Sequence, residues 1–198
     1  MVIPEDLLFQ HGAVVKTYSE NEIIFSEGSF AKNYFQIQDG TVKISNTFDD
    51  GKELVHGFPF DGHCFGESYL FTDTPFGINA TALTACTIIS LTKSHFINLV
   101  KNKPGIMLDV NRYTAERLHF RYLVSSFLAI SDPMMKIQRL LDHLKNYFDY
   151  TEPYSFQVPY TRYQLASLTG LRVETFIRVI KKMQALELLK IESSKIYY

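Results

Sequence analysis

The residues from Ile106 to Ile130 contain neither proline nor glycine, and they divide the chain into two parts of different character. At 3.6 residues per turn, this stretch predicts one long helix of about seven turns. Before it, as far as Leu91, short runs of β-branched and aromatic residues alternate with glycine and aspartate turns. After it, the apolar residues recur with a helical period. This order predicts an α+β protein, with a β-rich part preceding a helical part.

The N-terminal part has the pattern of a β-sandwich or jelly roll. The segment FQIQDGTVKIS predicts a hairpin of two alternating strands around Asp39-Gly40, a dipeptide suited to a type I′ turn. The segment NTFDDGKELVHGF repeats the pattern at Asp50-Gly51. Many short strands at this spacing favour a closed or two-sheet β architecture.

The long helix has apolar residues on more than one face, so more than one face must be buried. One stripe is formed by Tyr113, Phe120, Leu123 and Phe127, and a second, mixed stripe by Met107, Thr114, Leu118, Ser125 and Leu128. The first stripe can pack on the chain's own sandwich, and the second predicts a dimer seam with a second copy. The pattern alone leaves open that both stripes are buried within one chain.

A break follows at Ser131-Asp132-Pro133, where Asp132 suits a helix N-cap and Pro133 the first helical residue. We therefore divide the chain into a jelly-roll domain (residues 1–105), a long helix with a hinge (106–131) and a C-terminal domain (132–198).

The segment TRYQLASLTGLRVETFIRVIKKMQ has the spacing of a helix-turn-helix. Thr161 and Gln164 predict a capping box at the start of the first helix. Ala166 is small where two helices would cross, and Gly170 allows the positive φ of a tight turn. The segment LLKIESSKIYY that follows predicts two short strands around Ser193-Ser194, which would form a wing.

The outward face of the second helix is basic and carries residues suited to DNA. Glu174 and Arg178 lie one turn apart and can enter one groove, where Arg pairs with guanine and Glu accepts from cytosine N4. The cations and hydroxyl suited to phosphates are Arg172, Thr175, Lys181 and Lys182, with Lys195 on the wing. A surface ion pair between Glu174 and Arg178 is the alternative, worth only a few tenths of a kcal/mol.

Charge is distributed unevenly, although the net charge is only −1. Residues 1–110 carry seven Lys/Arg against thirteen Asp/Glu, whereas residues 160–198 carry seven against three. The basic C-terminal part therefore predicts a polyanion partner. No apolar run approaches the roughly 18 residues that span a bilayer, and the acidic start lacks a secretory signal. These features predict a cytoplasmic protein without a membrane partner.

Two cysteines, Cys64 and Cys86, are too few for a disulfide scaffold. Both lie among apolar residues, which favours small buried side chains. His63-Cys64 leaves a metal or haem ligand pair open. The six histidines are scattered and no motif joins one to a nucleophile, so we predict neither an enzyme nor a metal site.

The order of sandwich, long helix, hinge and winged helix-turn-helix resembles the Crp/Fnr family of bacterial transcription regulators over almost the whole chain. IIFSEGSFAKNYFQIQDGTVKIS is similar to the cyclic-nucleotide-binding-domain signature, and GHCFGESYLF to the start of its nucleotide cassette. GLRVETFIRVIKKM resembles the family's recognition helix. The resemblance implies that Glu174 and Arg178 contact bases, that Arg162 and Thr175 contact phosphates, and that the long helix forms the dimer seam. It also implies RNA polymerase as a partner.

The family's nucleotide pocket maps onto Gly66, Glu67, Phe76, Gly77, Arg121 and Tyr122 in this sequence. In cyclic-AMP-binding members an Arg followed by Ser or Thr holds the phosphate, and Phe76-Gly77 stand at these positions. The Thr-Ser pair that members offer to the base falls on Arg121-Tyr122. Gly66 and Glu67 match, although they could also be a turn and a surface carboxylate. We therefore expect no response to cyclic AMP in the usual way.

The sequence as a whole predicts a homodimeric DNA-binding regulator with a jelly-roll sensor, a dimerisation helix and a winged helix-turn-helix. It would bind a two-fold-symmetric duplex and need no cofactor, with its effector unidentified. The alternative is a small-molecule or haem sensor whose output is not DNA binding.

Overall fold

The computed structural model describes residues 1–49, 53–72 and 74–198, and of Leu128 it describes the backbone alone. The helices are α1 (Glu5–Gln10), α2 (Lys93–Asn102), α3 (Pro104–Ser126), α4 (Pro133–Tyr147), α5 (Arg162–Thr169) and α6 (Val173–Ala185). The strands are β1 (Val14–Tyr18), β2 (Ile23–Phe25), β3 (Asn33–Asp39), β4 (Val42–Thr47), β5 (Glu53–Gly57), β6 (Cys64–Phe65), β7 (Asn79–Ala82), β8 (Cys86–Thr92), β9 (Lys190–Glu192) and β10 (Lys195–Tyr197). Short 3-10 helices cover Glu67–Leu70 and Phe127–Ala129.

The chain forms two compact units, Met1–Leu118 and His119–Tyr198, and α3 continues through the division. The first unit contains two four-stranded antiparallel sheets, in the orders β1-β8-β3-β6 and β2-β7-β4-β5. Its core includes Ile37, Val42, Ile88 and Ile89, none of which is exposed to solvent. This is the jelly roll that the strand spacing predicts.

The hairpin predicted at Asp39-Gly40 is wrong. Strand β3 pairs with β6 and β8, whereas β4 pairs with β5 and β7, so the two strands lie in different sheets. Gly40 adopts a φ of 103° at this crossing, and a Cβ there would lie 2.5 Å from the carbonyl oxygen of Ala85. The glycine is therefore required by a close approach of backbone as the chain changes sheets, rather than by a two-residue turn.

The second predicted hairpin is confirmed in its strands, because β4 and β5 pair antiparallel from Thr47 opposite Glu53 onwards. Its turn at Asp50-Gly51 lies outside the described residues. The long helix begins at Pro104 rather than at Ile106, because proline is tolerated in the first turn of a helix. It ends at Ser126, short of the predicted Ile130.

The second unit combines α4, α5 and α6 with the two-stranded sheet β9–β10. Helix α4 begins as predicted, with the Asp132 side chain accepting from the Met134 backbone N–H at 3.0 Å. Its Ile137, Leu140, Leu141 and Leu144 are buried.

Among the described residues, no helix has the length and apolarity needed to cross a bilayer.

Candidate nucleic-acid interface and sensor site

The turn between α5 and α6 is built by short-range hydrogen bonds. The Gln164 backbone N–H donates to Thr161 Oγ1 at 3.2 Å, and the Thr161 backbone N–H donates to Gln164 Oε1 at 2.7 Å, which completes the predicted capping box. Gly170 ends α5 with a φ of 65°, and the Leu171 N–H donates to the carbonyl of Ala166 at 3.0 Å. These bonds fix the sharp change of direction that a helix-turn-helix needs.

Helix α6 buries one face and exposes the other. Phe176, Ile180 and Met183 are buried, as Leu165 and Ala166 of α5 are. The predicted DNA-contacting residues lie on the other face. Of these, Arg172, Glu174, Arg178, Lys181 and Lys182 are exposed, and Thr175 is half-buried.

Among the described residues, no ion pair joins Glu174 to Arg178. Their side chains are therefore unpaired with each other at the start of α6, where bases are contacted in helix-turn-helix proteins. Arg172 caps α6 without a side-chain hydrogen bond. An arginine side chain carries donors only, so it offers no acceptor to the N-terminal backbone N–H groups of the helix.

The other two predicted phosphate-contacting residues lie outside α6. Arg162 is the first residue of α5 and is half-buried, and its Nε has no hydrogen-bond partner among the described residues. Lys195 is exposed and begins β10. Ser193 and Ser194 have φ values of 45° and 66°, which confirms the two-residue turn predicted for the wing.

The sensor positions Gly66, Phe76 and Gly77 lie beside a cluster of aromatic rings. Phe76 is 3% exposed and stacks on Phe25 with ring centroids 3.8 Å apart and planes 6° from parallel. A Cβ at Gly66 would lie 3.1 Å from both rings. The Tyr69 hydroxyl accepts from the Gly77 N–H at 3.1 Å, and its ring meets Phe76 edge-on at 5.0 Å. Aromatic carbon therefore fills the position at which the resemblance requires a phosphate-binding Arg.

Glu67 is not a surface carboxylate, and that alternative is wrong. The residue is 1% exposed, and its two carboxylate oxygens accept from Arg117 Nη1 at 2.9 and 2.8 Å. The Thr114 hydroxyl lies 2.9 Å from one of these oxygens and also bonds the Val110 carbonyl at 2.9 Å. Arg117 Nη1 makes a further contact of 3.3 Å to the Cys64 carbonyl.

The electrostatics of this pair keep Arg117 charged. Burial disfavours the charged guanidinium, but the Glu67 carboxylate, with smaller contributions from Tyr113 and Cys64, outweighs that effect and raises the pKa of Arg117. The carboxylate therefore has a permanent cation beside it.

No motif in the sequence singles out Arg117. Its spacing of three residues from Thr114 puts both side chains on one side of α3, which is a weak signal without the fold.

The remaining pocket and seam residues are distributed along α3, except for Leu128, which belongs to the short 3-10 helix after it. Arg121 and Tyr122 belong to the second unit, where Arg121 is half-buried and Tyr122 is 63% exposed within a single chain. Along the predicted dimer seam, Met107 and Leu118 are 37% and 48% exposed, and Ser125 is exposed too. Thr114 is half-buried and turned toward Glu67, whereas the side chain of Leu128 lies outside the described structure.

Both cysteines are buried thiols, as predicted. Cys64 is not exposed at all, and burial raises the pKa of its thiol well above the usual value. Cys86 is 3% exposed and contacts the Thr41 carbonyl at 3.3 Å. Within the described ranges, no three His, Cys, Asp or Glu side chains are grouped so that they could hold a metal ion.

Each of the two units matches a known family of domains. Residues 15–103 match the cyclic nucleotide-binding domain, and residues 136–197 match the Crp-like helix-turn-helix domain. The chain is 26% identical over 172 residues to the cAMP-activated global transcriptional regulator CRP of Haemophilus influenzae, covering 84% of this chain and 75% of that protein. It is 22% identical over 178 residues to the transcriptional activatory protein AadR of Rhodopseudomonas palustris, covering 88% and 72%.

Solved structures agree on the architecture. The c-di-GMP responsive global regulator CLP of Xanthomonas campestris superposes with a TM-score of 0.74 at 25% identity, covering 98% of both chains. A CooA mutant from Carboxydothermus hydrogenoformans gives a TM-score of 0.81 at 16% identity, covering 98% of this chain and 85% of that one. A sensor jelly roll followed by a Crp-like helix-turn-helix defines the class as a DNA-binding transcription regulator.

The chain belongs to the Crp/Fnr family, which is a family of transcription regulators and not of enzymes. The alternative of a sensor without DNA output has no support from these matches.

Proposed function

We propose that this regulator acts in the cytoplasm as a homodimer that binds a two-fold-symmetric DNA site without needing cyclic AMP. In this proposal Glu174 and Arg178 contact base edges, and by the family resemblance each half-site contains a TGA-like core. The phosphate contacts come from Arg162, Arg172, Thr175, Lys181, Lys182 and Lys195. The family resemblance adds RNA polymerase as the partner of the bound dimer.

The exposure of one stripe of α3 supports the dimer. Met107 and Leu118 lie eleven residues apart on the helix, on one side of it, and each leaves more than a third of its surface open to solvent. Two recognition helices related by a two-fold axis would meet half-sites about one turn of DNA apart. A symmetric operator therefore follows from a symmetric protein.

The observation that carries the effector part of the proposal is the burial of Phe76 against Phe25. A cyclic phosphate is an anion, and burying it requires a paired charge, which a bidentate Arg supplies. A phenyl ring 3% exposed and stacked at 3.8 Å supplies neither charge nor space.

The hydrogen bonds of the Glu67 carboxylate are the second observation that supports the proposal. Its carboxylate already has a cation and a hydroxyl from α3 of the same chain. A ligand that used this carboxylate would have to displace Arg117 or Thr114 and compensate for their hydrogen bonds. The jelly roll and α3 are thus joined by the chain's own side chains, with no ligand required to join them.

The test of effector independence uses the purified full chain. Isothermal titration with cyclic AMP and cyclic GMP should give no heat of binding at micromolar nucleotide. The affinity for a duplex selected by this protein from a random pool should be unchanged by either nucleotide. Micromolar nucleotide affinity that disappears in Arg121→Ala would show that Arg121 had taken over the cationic role, and would overturn this part of the proposal.

The test of the dimer is sedimentation at micromolar concentration. The wild type should sediment as a dimer, and Leu118→Asp, which puts a charge into an apolar seam, should sediment as a monomer. His119→Asp adds a carboxylate at the next, also exposed, position and should leave the dimer intact. A monomeric wild type would remove the dimer from the proposal.

A further inference from the structure

The wing is a small hairpin that depends on neighbouring segments for its position. Its two strands have three residues each, and a two-stranded hairpin of this size is marginally stable alone. Strand β10 is held on its outer side, where the Val158 N–H donates to the Ile196 carbonyl at 2.9 Å and Gln157 bridges to Tyr197. Strand β9 receives its support elsewhere.

That support comes from Tyr154, in the connector between α4 and α5. Its hydroxyl donates to the carbonyl oxygen of Glu187, in the turn that leads from α6 into β9. The ammonium group of Lys190, the first residue of β9, lies 4.6 Å from the centroid of the Tyr154 ring. Tyr154 thus contacts the turn after α6 and the start of the wing with one side chain.

The backbone at both ends of this contact is unusual. Tyr154 has a φ of 60° and Glu187 a φ of 57°, in the left-handed region that residues other than glycine rarely adopt. Such conformations persist where the surrounding structure holds them. Here the hydrogen bond joins the two left-handed residues directly, so each turn helps to fix the other.

The pairing of the wing strands places its cations on one face. Lys190 is opposite Tyr197, and Glu192 is opposite Lys195. Since side chains alternate along a strand, Lys190 and Lys195 share a face with Glu192 and Tyr197, and Ile191 and Ile196 share the other. Ile196 is 3% exposed, so the lysine face is the outer one.

We propose that Tyr154 is a positioning residue for DNA binding, which fixes the wing so that Lys190 and Lys195 together contact the DNA backbone. This rests on the proposed function, and it adds Lys190 to the phosphate-contacting set. The hydroxyl holds the turn after α6, and the ring holds the Lys190 ammonium in place. A cation that is already positioned loses less freedom when it meets a phosphate.

The experiment measures DNA affinity as a function of salt concentration for the full chain, with a duplex that the wild type selects from a random pool. Each lost phosphate contact lowers the slope of log affinity against log salt by about one. Lys190→Gln should lower the slope by about one for each protomer. Tyr154→Leu, which removes both the hydroxyl and the ring, should lower it by at least as much and weaken binding about tenfold or more.

Two conservative variants separate positioning from general stability. Tyr154→Phe keeps the ring and loses the hydroxyl, so it should weaken binding about three- to tenfold, as expected for one lost hydrogen bond. Tyr197→Phe removes a wing hydroxyl that contacts Gln157 Oε1 at 3.2 Å and leaves Tyr154 untouched. It should stay within about twofold of the wild type, a change smaller than a typical hydrogen bond contributes. None of these variants should alter the ranking of duplex sequences.

An unchanged salt slope in Lys190→Gln, or an unchanged affinity in Tyr154→Phe, with a wild type that binds DNA, would overturn this inference alone. The inference would also be overturned if Tyr154→Leu lowered DNA affinity and thermal stability together while its salt slope stayed at the wild-type value. A wild type that selects no duplex would overturn the proposed function and this inference with it.

Discussion

Arg117 donates from a single nitrogen, Nη1, to both carboxylate oxygens of Glu67, at 2.9 and 2.8 Å. Glu67 follows β6 in the jelly roll, whereas Arg117 lies in the long helix, so the pair ties the two elements together. Removing the cation leaves a carboxylate that is 1% exposed without its charge partner. Breaking a buried pair in this way destabilises a protein far more than breaking an exposed one.

We expect Arg117→Met to lower the free energy of unfolding by about 3 kcal/mol, at the low end for buried pairs because the guanidinium side chain is 35% exposed. Urea denaturation measures this. The control is Arg112→Met, in the same helix, where the side chain is 71% exposed and 3.4 Å from Asp109. That change should cost less than about 0.5 kcal/mol.

The double variant Glu67→Gln with Arg117→Met should be more stable than the sum of the two single effects predicts, because no buried charge remains unpaired. Equal costs for Arg117→Met and Arg112→Met would show that the ion pair does not stabilise the unit.

Gly40 and Gly28 offer a matched pair of substitutions. Both have positive φ, at 103° and 83°, but a Cβ at Gly40 would lie 2.5 Å from the Ala85 carbonyl, whereas one at Gly28 would meet nothing within 4 Å. Gly28→Ala should cost about 1 kcal/mol from backbone strain alone. Gly40→Ala should cost about 3 kcal/mol or more, because backbone must also move. Thermal denaturation compares them, and similar losses would contradict the close approach at the sheet crossing.

The stability of the first unit should fall in mild acid because of His63. Burial, and then the charge of Arg117, lower the pKa of this imidazole to about 4, with Asp61 opposing. The ring lies between Phe60 and Tyr113, and its Nδ1 accepts from the Phe60 N–H at 3.4 Å.

A histidine whose pKa is lower in the folded state takes up its proton first in the unfolded chain, so acid favours unfolding. No stability is lost while the pH stays well above the ordinary pKa of about 6.5. The loss then grows down to about pH 4, and it should reach about 2 kcal/mol between pH 7.5 and pH 5. His63→Asn should flatten this dependence in urea titrations, and the exposed His119→Asn should not. Parallel pH profiles for wild type and His63→Asn would contradict the assignment.

We expect substitutions on the exposed face of α6 to reduce DNA affinity in two different ways. Arg178→Ala should cost about 1–3 kcal/mol on the cognate duplex and relax the preference at one base position. Lys182→Ala, one turn further along the same exposed face, should weaken every sequence alike and lower the salt slope by about one for each protomer. Fluorescence anisotropy on cognate and random duplexes distinguishes these effects. If Arg178→Ala weakened both duplexes equally, Arg178 would not contact a base.

The helix-turn-helix could be predicted from the sequence because its determinants lie within a few residues of each other. The Thr161–Gln164 capping box and the left-handed Gly170 each depend on groups no more than about one helical turn away. The Asp132 cap of α4 and the Ser193-Ser194 turn are of the same kind. Hydrogen bonds of this range form wherever the local sequence allows them, so these features needed no knowledge of the fold.

The sensor site was decided by tertiary structure. Phe76 stacks on Phe25, and Glu67 meets Arg117, a residue 50 positions away that no local pattern singled out. Asp39-Gly40 has the chemistry of a hairpin turn, yet the chain crosses between sheets there because β3 and β4 pair with strands that are distant in sequence. Contacts of this range depend on which strands and helices become neighbours, and burial of the whole apolar core selects those neighbours.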